Sequence, residues 1–179
     1  MLKSAGLAFE VKKPQLDEKA FQQQLAHLAP SALATQLAKL KAFSIRADEA
    51  YIIGSDQTLE FEMRVFHKAK SLPEAINNLR LLSGKIHKLH SAVAVVKNGK
   101  EQFSHTSTAT MKMRQLSEAF LQSYAEREEV ALLDSVGGYH FEGAGHQLFE
   151  DVSGDVNTIM GMPLLPLLAF FKEKAIIPV

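Results

Sequence analysis

The sequence predicts a mixed α/β fold whose sheet contains an antiparallel hairpin, and three observations lead there. Helix-period apolar stripes with local start and stop signals alternate with short β-rich runs. Two β-rich runs flank Asn98-Gly99, a pair that tolerates positive φ at both residues and so closes a two-residue hairpin. The 179 residues are 46% hydrophobic and 22% charged, enough apolar material for a sizeable core and too much for a disordered chain. The hairpin excludes a purely parallel, doubly wound sheet.

Leu7–Val11 is short and mostly apolar, the pattern of a strand. Helices are expected over Glu18–Leu28 and Ser31–Arg46. In the second, Leu33, Leu37, Leu40 and Ile45 fall near one face, with Lys39 and Lys41 off it. Tyr51–Gly54 is a short apolar strand followed at once by Ser55, Asp56 and Gln57, and a polar cluster at a strand end is where α/β proteins place chemistry. Leu59–Phe66 is irregular or extended. Ser71-Leu72-Pro73-Glu74 has capping-box spacing, Ala75, Leu79 and Leu82 supply an apolar stripe, and Ser83-Gly84 ends that helix. The hairpin runs His87–Lys97 and Glu101–Arg114. A helix over Ser117–Arg127, a glycine-rich loop over Val136–Gly145, a strand over Gln147–Val152 and a helix over Leu164–Lys172 starting at Pro163 complete one continuous domain, 1–179.

Composition narrows the function. Twenty basic residues balance twenty acidic ones, for a net charge of +0, and no basic stripe marks a nucleic-acid partner. Cysteine is absent, which excludes disulfides, thiolate nucleophiles and Cys-ligated zinc. The longest apolar run, Ile159–Phe171, is broken by Pro163 and Pro166 and is too short for a bilayer. Met1–Val11 has no export-signal pattern, so a cytoplasmic protein with no membrane partner is expected.

Asp56 is the best candidate for chemistry: a carboxylate there can hold a divalent cation or orient a water, or else simply occupy a turn. Asp17 and Glu18 form a second acidic pair, open to a metal role or to stabilising a helix start. Lys41 and Lys68 could neutralise phosphate oxygens or remain solvated. The seven histidines show no metal-binding spacing, and His87 and His90, three apart on a strand, point to opposite faces; both are read as structural or surface residues. The loop glycines lack the strand-then-helix setting of a dinucleotide or phosphate loop, and Ser83, Ser91 and Ser135 lack a nucleophile elbow.

The order of several motifs resembles the Maf family. These are Ile53-Gly54-Ser55-Asp56-Gln57, Lys68, Leu81-Leu82-Ser83-Gly84-x-x-His87, Ser91-Ala92-Val93, Gly138-Tyr139-x-x-Glu142-Gly143-x-Gly145 and Gly154-Asp155-x-x-Thr158-x-x-Gly161-Met162-Pro163-Leu164. The likeness runs from about Gly6 to Phe171. It implies a two-lobed fold like that of the inosine-triphosphatase superfamily, with a twisted mixed sheet and a cleft. It also implies a nucleoside triphosphate pyrophosphatase using a divalent metal, Mg or Mn, in a family first named for septum formation. Under this resemblance Asp56 is the proton acceptor or metal-linked base that activates water for attack on the α-phosphorus, and Glu18 with Asp56 holds the metal. Lys41, Lys68 and Ser55 bind substrate. Gln57 and Glu142 choose the base, a pair like that of members acting on 7-methyl-GTP, whereas members acting on dTTP and UTP more often carry Thr and Gln. A homodimer is compatible with it.

Two departures accompany the likeness. Lys68 is followed by Ala69 where the family has Pro. The chain begins where the family's first strand and Ser-x-Ser-Pro-Arg-Arg-like phosphate loop have already passed, a difference of roughly ten to fifteen residues. The expectation is a first strand missing and an open sheet edge or apolar slot. The alternative function is therefore a catalytically weak or inactive nucleotide-binding or interaction protein.

Overall fold

The computed structural model describes residues 1–178 apart from the Lys19 side chain. Five strands are formed by the described residues: β1 (Ile52–Phe61), β2 (Arg64–Phe66), β3 (Ile86–Lys97), β4 (Lys100–Met113) and β5 (Phe149–Ser153). They make one open sheet in the order β2-β1-β3-β4-β5, each neighbouring pair antiparallel. The helices are α1 (Glu18–Gln24), α2 (Pro30–Phe43), α3 (Leu72–Leu82), α4 (Glu118–Arg127), α5 (Glu129–Asp134), α6 (Val156–Ile159) and α7 (Leu164–Glu173), with a 3-10 turn at Ala144–Leu148. The α/β class with flanking helices holds.

The mixed character of the expected sheet does not appear among the described residues. Leu7–Val11 joins no ladder: Phe9 is 47% exposed and Val11 86%, so only Leu7 of this run reaches a core cluster. Two other differences concern β1. It is ten residues long and carries Asp56 mid-strand, because Ser55–Thr58 pair in register with Ser91–Val93 and His90 of β3. It then turns at Glu62 and Met63, with φ of 51° and 63°, into β2, so Leu59–Phe66 is a hairpin rather than an irregular piece. Positive φ at two residues that are neither Gly nor Asn leaves no local sequence mark. The hairpin at Asn98-Gly99 has φ of 49° and 70° and pairs Lys97 with Lys100, as expected.

Helix boundaries follow local chemistry. Ser71 Oγ accepts from the Glu74 amide, and Glu74 Oε2 accepts from the Lys70 amide, so the capping pair ties the entry to α3. Ser117 caps α4 by accepting from the Phe120 amide. The first two helices are shorter than expected: α1 ends at Gln24, and α2 stops at Phe43, where Ser44 donates its hydroxyl back to the Lys41 carbonyl. Neither α5 nor α6 was expected; each is under two turns long, below the length at which an apolar period shows.

Alternation along the strands sorts the core into faces. On one face Ala34, Ala38 and Ala42 of α2 pack against Ala92, Ala94 and Val96 of β3. The opposite face carries two clusters. At one end Leu59, Leu89 and Met111 meet Leu79, Leu82, Leu121, Tyr124 and Leu132 of α3–α5; at the other Val93 and Val95 meet Leu167, Phe170 and Phe171 of α7. Each fully buried leucine here contributes roughly 1.5–3 kcal/mol of burial free energy. The small α2 face has a geometric purpose. A Cβ on Gly54 would lie 2.2 Å from the Ala38 carbonyl oxygen and 2.6 Å from the Ala42 nitrogen, so glycine lets α2 seat directly on β1. β2 pairs with β1 only at Leu59–Phe61, and the β1 edge from Ile52 to Thr58 has no strand partner among the described residues. Among those residues no helix is long and apolar enough to cross a membrane.

Candidate active site

The open stretch of β1 forms one wall of a cavity of about 1210 Å³. Alternation sends Asp56 to the α2 face and Ser55 and Gln57 to the other face, and the cavity wraps around the strand edge to touch all three. α1 adds Glu18, α2 adds Lys41, the segment after β2 adds Lys68, and the glycine-rich loop adds Glu142. The seven residues that the resemblance assigns to a site therefore line a single cavity, although they span positions 18 to 142, whereas Asp17 does not reach it.

Asp56 and Lys41 form the electrostatic centre. The Lys41 ammonium donates to Asp56 Oδ1 and lies 3.4 Å from Glu18 Oε2. The Asp56 side chain is 8% exposed and that of Glu18 45%, so one carboxylate is held inside the wall and the other stands at the mouth. Burial pushes the Asp56 carboxyl above the usual aspartate range. The Lys41 ammonium and, more weakly, Lys68 pull it back, while the Glu18 charge adds to the rise. Burial works against the Lys41 charge too, but Asp56 and then Glu18 outweigh it and hold its pKa above the ordinary lysine value. The acidic pair at 17 and 18 divides its work. Asp17 caps α1 by accepting from the Ala20 amide at 3.1 Å, and Glu18 turns to Lys41.

The fit to a divalent cation is a matter of donor chemistry. Two hard carboxylates share the Lys41 ammonium and carry a net charge of about −1 with it, and such oxygen donors suit Mg or Mn. Among the described residues no group of three or more His, Cys, Asp or Glu side chains is placed to hold a metal. Two carboxylates with the remaining positions left to water or substrate oxygens is the usual arrangement for Mg, so the residues present fit such an ion.

On the other face of β1 the polar groups are tied down. Ser55 Oγ lies 2.8 Å from both the Ala92 and Gly161 carbonyls and donates its one proton between them. Gln57 Nε2 donates to Ser91 Oγ at 2.8 Å and to the Thr158 and Ile159 carbonyls at 3.0 Å each. Ser91, wholly buried on β3, donates in turn to the Thr158 carbonyl at 2.6 Å. Asp155 fixes this short helix by accepting from the Thr158 amide and hydroxyl. Ser91 lacks a nucleophile elbow, and its contacts make it a support for Gln57, a role whose one signal in the sequence is its place in Ser91-Ala92-Val93. Lys68 and Glu142 are exposed on the cavity rim.

The two histidines on β3 are structural and face opposite ways. His87 Nε2 and the Tyr139 hydroxyl share a hydrogen bond of 2.7 Å in the core, and burial pushes the His87 pKa down to about 4. His90 lies between Glu60 and Thr108, at 2.9 and 2.8 Å.

Known proteins share this arrangement of sequence. Over 179 residues the chain is 45% identical to a Bartonella henselae protein named 7-methyl-GTP pyrophosphatase, covering 99% of this chain and 90% of that protein. It is 42% identical over 177 residues to a Rhizobium meliloti protein of the same name, covering 97% and 89%. It is 41% identical over 179 residues to a Rhodopseudomonas palustris protein named nucleoside triphosphate pyrophosphatase, covering 99% and 89%. The family model for Maf-like proteins matches residues 1–174. With an α/β sheet, a cavity at the β1 edge and relatives aligned over nearly their whole length, the chain belongs to the Maf-like protein family.

Proposed function

We propose that this protein hydrolyses a nucleoside triphosphate to its monophosphate and pyrophosphate, with a preference for a 7-methyl-GTP-like nucleotide. The observation that supports this most is the convergence of a buried carboxylate, Asp56, with two lysines and a second carboxylate on one cavity large enough for a nucleotide. The relatives named 7-methyl-GTP pyrophosphatase support the same substrate class.

In this reading Asp56 takes a proton from a water as it attacks the α-phosphorus. The bond from that phosphorus to the bridging oxygen breaks, and pyrophosphate leaves with the electron pair. Burial raises the Asp56 pKa and so makes its carboxylate a better proton acceptor than a solvated aspartate. Lys41 and Lys68 neutralise the charge that accumulates on the leaving phosphates. A divalent cation held by Asp56 and Glu18 supplies further positive charge to the phosphate oxygens when bound. Ser55, on the same face as Gln57, keeps the β1 wall closed against Gly161. Gln57 and Glu142 read the base: guanine alone among the bases offers two adjacent N–H donors on its pairing edge, and two oxygen acceptors suit it.

Pyrophosphate release from 7-methyl-GTP, GTP, UTP and dTTP, with Mg or Mn and with chelator, tests the proposal. Turnover of 7-methyl-GTP that chelator abolishes is expected. A clear preference for UTP or dTTP overturns the base assignment. Tight nucleotide binding without release favours the binding-protein alternative, which draws on the occupation of Asp56 by Lys41.

A further inference from the structure

Gln57 is in contact with more fixed acceptors than any other residue of the cavity wall, and this decides what its amide can show a ligand. The Thr158 and Ile159 carbonyls can only accept, and both lie 3.0 Å from the Gln57 side-chain nitrogen. A flipped amide would set its oxygen against two carbonyl oxygens, so the NH₂ group must face α6. Ser91 completes the arrangement. Its hydroxyl proton goes to the Thr158 carbonyl at 2.6 Å, leaving its lone pairs to accept from Gln57 Nε2 at 2.8 Å. The two amide protons are thereby consumed, one by Ser91 and one shared between the two carbonyls. Gln57 Oε1 has no hydrogen-bond partner among the described residues and is not a buried orphan, while the residue lines the cavity.

We infer that Ser91 is a positioning residue for base recognition: with the α6 carbonyls it locks the polarity of the Gln57 amide, so that the cavity meets an acceptor and never a donor at this point. The inference rests on the nucleotide-binding reading above and deepens it. A locked acceptor favours a base that presents N–H there, as guanine does, and opposes adenine, whose ring nitrogen on that edge is itself an acceptor. The cost of choosing the amide orientation is met by folding, before any nucleotide arrives. Ser91 is wholly buried, so it meets no ligand itself and acts through the Gln57 amide that it and Thr158 hold.

Two measurements test this. The first is independent of any nucleotide: hydrogen exchange of the Gln57 side-chain NH₂, assigned in an NMR spectrum by its loss in Gln57→Leu. Slow exchange is expected, at least several-fold faster in Ser91→Ala and restored in Ser91→Thr. Exchange as fast as that of a free glutamine in the unsubstituted protein overturns the lock. The second is the ratio of dissociation constants for GTP, ITP and ATP. Loss of one neutral hydrogen bond corresponds to about 2–10-fold, so Ser91→Ala should shrink the GTP-over-ATP preference by that factor. In a Gln57→Leu background Ser91→Ala should change the ratio no further. Equal weakening toward all three nucleotides, or additive effects in the double variant, overturns the positioning role. A protein that binds with the expected ratios but releases no pyrophosphate would refute the proposed activity and leave this inference standing.

Discussion

Gly54→Ala is the sharpest test of how the fold sets the site. The added methyl would lie 2.2 Å from the Ala38 carbonyl oxygen, where ordinary contact begins at 3.4 Å, and the Ala42 nitrogen and Cβ close off the alternatives at 2.6 and 3.0 Å. Two of these atoms are backbone, so no side-chain rotation relieves the overlap and α2 must retreat by about 1 Å. Overpacking of this kind costs roughly 1–3 kcal/mol, which for a chain of this size lowers Tm by about 3–10 °C. The retreat carries Lys41 with it, since Lys41 sits one residue from Ala42, and a displacement near 1 Å at a catalytic centre costs on the order of 10²-fold in rate. Thermal unfolding and pyrophosphate release measured on the same preparation give both numbers. Gly99→Ala provides the contrast. Its φ of 70° disfavours alanine by about 1–2 kcal/mol, yet no heavy atom lies within 4 Å. It should lose Tm and keep its rate. A Gly54→Ala protein with unchanged Tm and rate would refute the reasoning.

Asp56→Asn should lower kcat for pyrophosphate release by about 10²–10⁴-fold with the fold intact by circular dichroism; a smaller change removes Asp56 as the base. Lys41→Met leaves Asp56 and Glu18 without their shared ammonium. In chelator its Tm should fall, and Mg should raise that Tm more than it raises the Tm of the unsubstituted protein, where the ion competes with Lys41; the opposite ranking counts against the carboxylates as an ion site. The His87 pKa, depressed by burial to about 4, is below its unfolded value, so its contribution is whole above about pH 6.5 and disappears as pH falls toward 4. That loss amounts to about 3 kcal/mol, and urea midpoints at pH 7 and 4.5 should show a shallower pH dependence in His87→Gln. Glu62→Asn with Met63→Gly relieves two positive-φ residues in the β1–β2 turn and should raise Tm by a few degrees.

What could be read in advance was whatever local chemistry determines. Asn98-Gly99 and Ser71-x-x-Glu74 each complete their structure within four residues, and both formed where expected. The turn at Glu62-Met63 and the strand character of Ser55–Thr58 were hidden because pairing with β3 overrides weak local preference. The exposed run at Leu7–Val11 erred the other way: its apolar letters find too little to cover them. Among the cavity-lining residues, Glu18, Lys41, Asp56 and Lys68 stood out by residue type but each kept an ordinary reading as a turn, helix-start or solvated residue, and the order of motifs is what grouped them. Ser91 did not stand out, since its partners Thr158 and Gln57 lie 67 and 34 positions away. The Ser91-Ala92-Val93 motif marks the position but names neither partner.

Because Asp56 and Gln57 are consecutive on an extended strand, the groups proposed to cleave and to read the base are separated by a single peptide unit and lie on opposite sides of it. No loop intervenes to absorb a length change. Deleting one residue ahead of Asp56 would carry the Gln57 amide onto the α2 face in its place, and inserting one there would carry the Asp56 carboxylate round to Thr158. On the proposed reading, a change along β1 that keeps the two groups on their own sides is a substitution and not a change in length.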